Sequence, residues 1–331
     1  MESPTTTDSE HSGDRFRLSR WHWWVAVFCV ATTAGAIFLK YRWLGFYDIA
    51  DESRYQTAAV EQLDESTRIV ALGSSHFHAS IDPRVASQEI VTLSHMCLNY
   101  ELMEAILRKQ IDRLTGLQCM LVELDLFPIY CDTLNQVSPE FLTLHRFGLS
   151  PQDYAPNWRK ELRLAIYESG PLTGPSLAPK AVLKRLTFDE PIVPGFHTTD
   201  LVMSQSGRER AEFHMSIFAT HVVKGNKAAF VRVMDLLQSK GIKVVLVSTP
   251  RQLDYWDGIN KDYVHDYHQF QADMLQRYQC PYWDFSDPAT LALTEQYFQD
   301  GDHLNRSGAS QFTKAINARL AEFLAIESAS H

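Results

Sequence analysis

Arg68-Ile69-Val70-Ala71-Leu72-Gly73-Ser74-Ser75-His76 is the stretch whose reading decides the fold. An apolar, partly β-branched run that stops at Gly-Ser-Ser predicts a buried strand delivering a small nucleophile to the rim of a sheet. Taken alone, the pattern equally describes a strand that turns there for steric reasons. A second stretch near the other end, Asp300-Gly301-Asp302-His303-Leu304-Asn305, supplies an imidazole and carboxylates, so that the two together make a Ser, His, Asp set.

Working outward, strands and helices alternate. Arg68 to Leu72 reads as the first strand, Ile90 to Leu98 as the second and Cys119 to Phe127 as the third, with an amphipathic helix over Glu101 to Leu114. Further on come a helix over Lys227 to Lys240, the strongest strand at Ile242 to Val247, a helix over Tyr263 to Tyr278, a short strand at Pro281 to Phe285 and a final helix over Ser307 to Leu324. Repeated β-α-β alternation predicts an α/β domain over 67–328, a parallel sheet with helices on both faces. Ligands of such sheets bind beyond the carboxyl ends of the strands, where Ser75 is placed. Between about 132 and 222 the alternation fails and proline is frequent, which reads as an irregular insertion.

The N-terminal region differs in composition. Residues 1–20 are a polar tail, and 21–39 contain no Asp, Glu, Lys or Arg, a length of roughly 28 Å as a helix, near the hydrocarbon thickness of a bilayer. Trp21, Trp23 and Trp24 at one end and Tyr41, Trp43 and Tyr47 at the other resemble interfacial aromatic belts. A transmembrane anchor is expected in preference to a cleaved signal peptide, because no small-x-small site follows. Arg15, Arg17 and Arg20 before the span favour a cytoplasmic N-terminus, with the main domain outside the cytoplasm, and 47–66 reads as a juxtamembrane helical stem. A formal charge of −9 with no basic face excludes a duplex-binding protein. Five cysteines without a CxxC pair exclude a zinc ribbon or thioredoxin-like centre.

A serine hydroxyl needs a base, and the base needs an acceptor that fixes its tautomer. Ser75 as nucleophile, His303 as base and Asp300 as its orienting carboxylate satisfy that chemistry, with Asp302 as the alternative carboxylate. The oxyanion donors expected are the backbone N–H of Ser75 and the side-chain amide of Asn99. Arg251, Tyr255 and Trp256 follow the strongest strand and are candidates for substrate binding at the same rim. Glu123 and Asp125 alternate on a strand, and a buried structural hydrogen bond is expected of at least one. No cofactor and no metal are expected, although His76 and His78 with Asp300 and His303 form an alternative metal set for phosphoester hydrolysis.

Gly73-Ser74-Ser75 and Asp300-x-x-His303 resemble the nucleophile and D-x-x-H blocks of the SGNH (GDSL-type) hydrolases, with Ser74 where Asp is usual. The wider phrases around Ile81-Asp82-Pro83, Val247-Ser248-Thr249-Pro250, Trp283-Asp284-Phe285-Ser286 and His303-Leu304-Asn305 with Gly308-Ala309 are similar to its membrane-anchored branch, which includes DltD and the alginate O-acetylation proteins. The resemblance implies a flavodoxin-like three-layer sandwich and esterase or O-acyltransferase activity on a cell-surface or exported polysaccharide, beside a membrane-bound O-acyltransferase partner. Two blocks depart from that pattern. Glu123-Leu124-Asp125-Leu126-Phe127 stands where Gly-x-Asn-Asp is expected, and Tyr100-Glu101 follows Asn99 where Gly is expected. Those departures keep open a degenerate module that binds a glycan or an acyltransferase without chemistry.

Overall fold

The computed structural model describes residues 20–44, 49–87, 89–133, 147–149, 196, 200–202 and 204–328. Two units are separable, 1–46 and 47–331.

In the first unit, α1 (Arg20–Leu44) is a 25-residue helix whose Trp21, Trp23, Trp24, Phe28 and Val30 are exposed. Among the described residues no helix is long and apolar enough to cross a membrane. Side chains of α1 are described only for 21–33 and 35, so the expected 21–39 span extends outside them.

The second unit is built on five parallel strands, β1 (Ile69–Gly73), β2 (Ile90–Ser94), β3 (Cys119–Glu123), β4 (Lys243–Ser248) and β5 (Tyr282–Asp284). Their order is β2-β1-β3-β4-β5, the flavodoxin-like arrangement in which the chain reverses direction across the sheet next to β1. Every residue of β1, β2 and β3 is buried, as expected when helices cover both faces. Ile69, Ala71, Cys119, Leu121, Val245 and Val247 form one face, packed with Phe312, Ile316 and Leu320 of the final helix, α10 (Arg306–Ser328). By alternation, Val70, Leu72, Met120, Val122 and Leu246 face the opposite side. There α7 (Val223–Ser239) packs on β4 and on α4 (Tyr100–Gln110).

The remaining elements are α2 (Ile49–Gln62), α3 (Ser75–Ser80), α5 (Leu126–Tyr130), α6 (Gly207–Ile217), α8 (Asp254–Gly258) and α9 (Lys261–Tyr278), with a small antiparallel pair, β6 (Phe298–Asp300) and β7 (His303–Leu304). Three expectations change. The third strand stops at Glu123 rather than Phe127, because the Asp125 side chain accepts from Phe127 N and caps α5. The second stops at Ser94 rather than Leu98, and Cys97 takes a left-handed φ of 57° that no strand accommodates. The expected stem is not a free connector over its second half, since Gln56, Ala59 and Leu63 are buried and α2 packs on β2.

Of the expected 132–222 insertion, 134–146, 150–195, 197–199 and 203 lie outside the described residues. Its described end is regular. Ser206 and Glu209 form a reciprocal capping box that starts α6. At the foot of α6, backbone meets backbone: a Cβ on Gly301 would lie 2.3 Å from Gly207 Cα and 2.4 Å from Gly207 N. Glycine at 301 lets α6 dock on the β6–β7 turn, and glycine at 207 lets it approach α8, where a Cβ would lie 2.6 Å from Tyr255 N.

Candidate active site

β1 ends at Gly73, where an added Cβ would lie 2.6 Å from Glu123 Oε2 and 2.7 Å from Phe77 Cγ. Only glycine lets the strand turn that close to the neighbouring carboxylate. Ser74 then caps α3, its hydroxyl accepting from His76 N at 3.4 Å, and Ser75 becomes the first helical residue. Its backbone N–H belongs to the opening turn of a helix, which has no acceptor within the helix, and suits an oxyanion. Thr313 of α10 fixes the far end of α3, accepting from Asp82 N at 2.9 Å and donating to Ser80 O at 3.2 Å.

The β6–β7 turn brings the other half. His303 Nε2 lies 2.9 Å from Ser75 Oγ, across 228 positions of sequence. His303 Nδ1 is 2.9 Å from Asp300 Oδ1, and Asp300 also accepts from the backbone N–H of His303 at 2.9 Å and of Asp302 at 3.2 Å. One carboxylate thus shapes the turn and orients the imidazole. Ser75, His303 and Asp300 stand in the order of a Ser-His-Asp relay.

Asp302, the alternative considered from sequence, is also at the imidazole. Its Oδ1 is 3.1 Å from His303 Nδ1, and the side chain is fully buried. Around it converge Arg210 Nε at 2.6 Å, His76 Nε2 at 3.0 Å and His214 Nε2 at 3.4 Å. Burial opposes a charge on His303, but Asp300 and Asp302 outweigh it and push its pKa up to about 10. Burial likewise works against a charge on Asp302, and the charges of His303 and Arg210 win, holding its pKa well below the carboxylate range. His214 is driven down by burial and is neutral, with the Tyr255 hydroxyl 2.7 Å from its Nδ1.

Other sequence candidates fall elsewhere. Asn99 holds backbone on both sides: its Oδ1 caps α4 by accepting from Leu102 N at 3.0 Å, and its Nδ2 donates to Cys131 O at 3.2 Å. Arg251 and Tyr255 are buried beneath the site rather than exposed to a substrate, Arg251 pairing with Asp125 and lying 4.9 Å from the Tyr255 ring centroid. Trp256 is partly buried and stacks on Tyr267 at 6.3 Å. His76 and His78 do not share a face, because 75–80 is helix rather than strand: His76 enters the site and His78 lies against Tyr55. Among the described residues the cysteines form no disulfide.

Ligand-type atoms do gather at two places, His76 with Asp302 and His303, and His76 with Glu123 and Asp125, within 4.8 Å in each set. Arg251 Nη2 is 3.5 Å from His76 Nδ1 and Arg210 Nε lies on Asp302, so two guanidinium charges oppose a divalent cation there. Hydrogen bonding accounts for the same short distances.

Sequence reading placed His76 only in the alternative metal set and Glu123 only in a structural hydrogen bond, and it missed Arg210 and His214. For Glu123 a signal exists, a carboxylate closing an otherwise apolar buried strand, since such a group needs a partner. Arg210 and His214 carry none, as they arrive through a docking contact that no local pattern encodes.

No family model and no curated protein matches the chain. Among solved structures it is similar to a putative acylhydrolase from Bacteroides fragilis NCTC 9343, at 12% identity and a TM-score of 0.43, covering 84% of this chain and 99% of that one. It is also similar to a GDSL-like lipase from Bacteroides thetaiotaomicron VPI-5482, at 9% identity and a TM-score of 0.40, covering 83% and 98%. The chemistry of the site rests on its own residues.

Proposed function

We propose that this chain is an SGNH-type serine esterase or O-acyltransferase. The observation that carries the reading is the continuous contact from Ser75 Oγ through His303 to Asp300, 2.9 Å at each step. In the reaction, neutral His303 takes the Ser75 proton at Nε2 as Oγ bonds to the acyl carbon, and the Ser75 N–H receives the developing oxyanion. The leaving alkoxide accepts the proton back from Nε2. Water or an acceptor hydroxyl then repeats the sequence on the acyl-serine, giving hydrolysis or transfer.

Anchoring by 21–39, an extracytoplasmic domain, acetyl as the acyl group, a polysaccharide acceptor and a membrane-bound O-acyltransferase partner complete the proposal. They follow from the composition of the N-terminal segment and from the resemblance of the Ser75 and His303 blocks.

A fluorophosphonate probe tests the chemistry. Labelling at Ser75, lost in Ser75→Ala together with hydrolysis of p-nitrophenyl acetate, is the expected result. A folded chain that neither labels nor hydrolyses at any pH would leave a binding module in place of an enzyme.

A further inference from the structure

Resting on that reading, we propose that His76 is a positioning residue: held as an imidazolium between Glu123 and Asp302, it couples the turn that presents Ser75 to the base that activates it. Nothing in the Ser-His-Asp chemistry requires this side chain. It is nonetheless fully buried, one residue from the nucleophile, with its ring stacked on His303 at a centroid distance of 5.0 Å.

The contacts close into a circuit. Ser75 Oγ meets His303 Nε2 at 2.9 Å, His303 Nδ1 meets Asp302 Oδ1 at 3.1 Å, and Asp302 Oδ2 meets His76 Nε2 at 3.0 Å. His76 Nδ1 meets Glu123 Oε1 at 3.0 Å, and Glu123 takes the Ser74 backbone N–H through Oε2 and the Ser74 hydroxyl at 3.0 Å through Oε1. Ser74 and Ser75 are joined by the peptide bond. With serine at 74, a carboxylate still reaches the nucleophile turn, from β3.

The protonation state follows from donor and acceptor capacity. Ionised carboxylates only accept, so a ring between two of them with both nitrogens at 3.0 Å satisfies both contacts only when both nitrogens carry hydrogen. The groups facing His76 are Glu123 and Asp125 from the end of β3, Asp302 and His303 from the β6–β7 turn, Arg251 after β4 and His214 from α6. Burial and Arg251 oppose the charge, while Asp302, Glu123 and Asp125 outweigh them and raise the pKa. Neutral His76 would have to release one of its two carboxylates, opening the circuit on either the nucleophile side or the base side.

The test uses the full chain in detergent, with nitrogen-15 in its histidines and resonances assigned by single His→Gln variants. In the unsubstituted protein, His76 should show two protonated ring nitrogens from pH 6 to 8, a measurement that needs no folded variant. Glu123→Gln, which does not touch His303, should shift the His303 titration and slow fluorophosphonate labelling of Ser75 by about 10- to 100-fold, the scale of a small misplacement. His76→Gln keeps only the donor reaching Asp302 and should do the same. Adding Glu123→Gln to His76→Gln should then change nothing further.

An unprotonated His76 nitrogen at pH 7, or Glu123→Gln and His76→Gln effects that simply multiply, would overturn the proposal. Failure of the esterase reading is distinguishable, because Ser75 would then stay unlabelled in the unsubstituted protein while the histidine titrations are still read directly.

Discussion

Asp300→Asn is the perturbation that best separates one orienting carboxylate from two. His303 Nδ1 lies 2.9 Å from Asp300 Oδ1 and 3.1 Å from Asp302 Oδ1, so the substitution removes one of two nearly equidistant charges. Asparagine keeps a carbonyl oxygen for the backbone N–H groups of residues 302 and 303, which preserves the turn. The rise of His303 from an ordinary 6.5 to about 10 represents about 5 kcal/mol of preference for the charged ring, at roughly 1.4 kcal/mol per pH unit. Loss of one adjacent carboxylate should lower that pKa by about 1 to 3 pH units.

Labelling of Ser75 by a fluorophosphonate, followed as a rate from pH 6 to 11, reads the neutral form of His303. In the unsubstituted protein the rate should rise about tenfold per pH unit and level near pH 10, as only the unprotonated ring can accept. In Asp300→Asn the levelling point should move down by about 1 to 3 pH units, with a lower plateau because the ring is a weaker base. At pH 7 the gain in neutral ring and the loss in basicity offset, leaving the rate within about tenfold of the original. Where a single carboxylate fixes the tautomer, the same change is worth about 10⁴. A loss of that size from Asp300→Asn alone, or an unmoved levelling point, would show that Asp302 does not share the task.

Four further outcomes are expected. Asn99→Ala should lower stability by about 1 kcal/mol through the lost cap of α4, seen in chemical denaturation, and leave labelling of Ser75 unchanged. Gly301→Ala should lower the melting temperature and the labelling rate together, because its Cβ meets Gly207 backbone at 2.3 Å and must push α6 and Arg210 away from Asp302. Gly73→Ala should cost about 1–3 kcal/mol by driving Glu123 and Phe77 aside, measured in the same denaturation assay. Stability should also fall as pH rises from about 6.5 towards 10: the folded His303 holds a proton that the unfolded chain has already lost, and His303→Gln should flatten that dependence.

The sheet was legible because a buried parallel strand is a contiguous apolar run, and Ile69 to Gly73, Cys119 to Glu123 and Lys243 to Ser248 each stand out as one. Ser75, Asp300 and His303 were legible because each sits at a sequence-local punctuation, a strand ending in Gly-Ser or a turn before a helix. Asn99 misled for a related reason. A cap residue at the rim of a sheet and an oxyanion donor look alike until the partners, Leu102 N and Cys131 O, are seen. Arg251 misled through burial, since a cation after a strand reads as surface unless its partner Asp125 is known.

The set around the base, buried except for partly exposed Asp300 and Arg210, holds four carboxylates, Glu123, Asp125, Asp300 and Asp302, against two guanidiniums, Arg210 and Arg251. With His76 an imidazolium, this set carries one net negative charge while His303 is neutral; when His303 takes the serine proton the set is balanced, and the negative charge left behind passes to the oxyanion at the Ser75 N–H. Uncompensated charge in a buried site is costly, so the protein environment favours the protonated base that forms as Ser75 attacks. The same preference holds His303 protonated before attack at neutral pH, and so places fast acylation on the alkaline side. Arg210 bears on that balance directly: Arg210→Gln withdraws one positive charge from Asp302, so it should raise the His303 midpoint further and displace the labelling curve to still higher pH. A displacement to lower pH would mean that Arg210 acts by holding the turn in place, and that the charge count is not what sets the base.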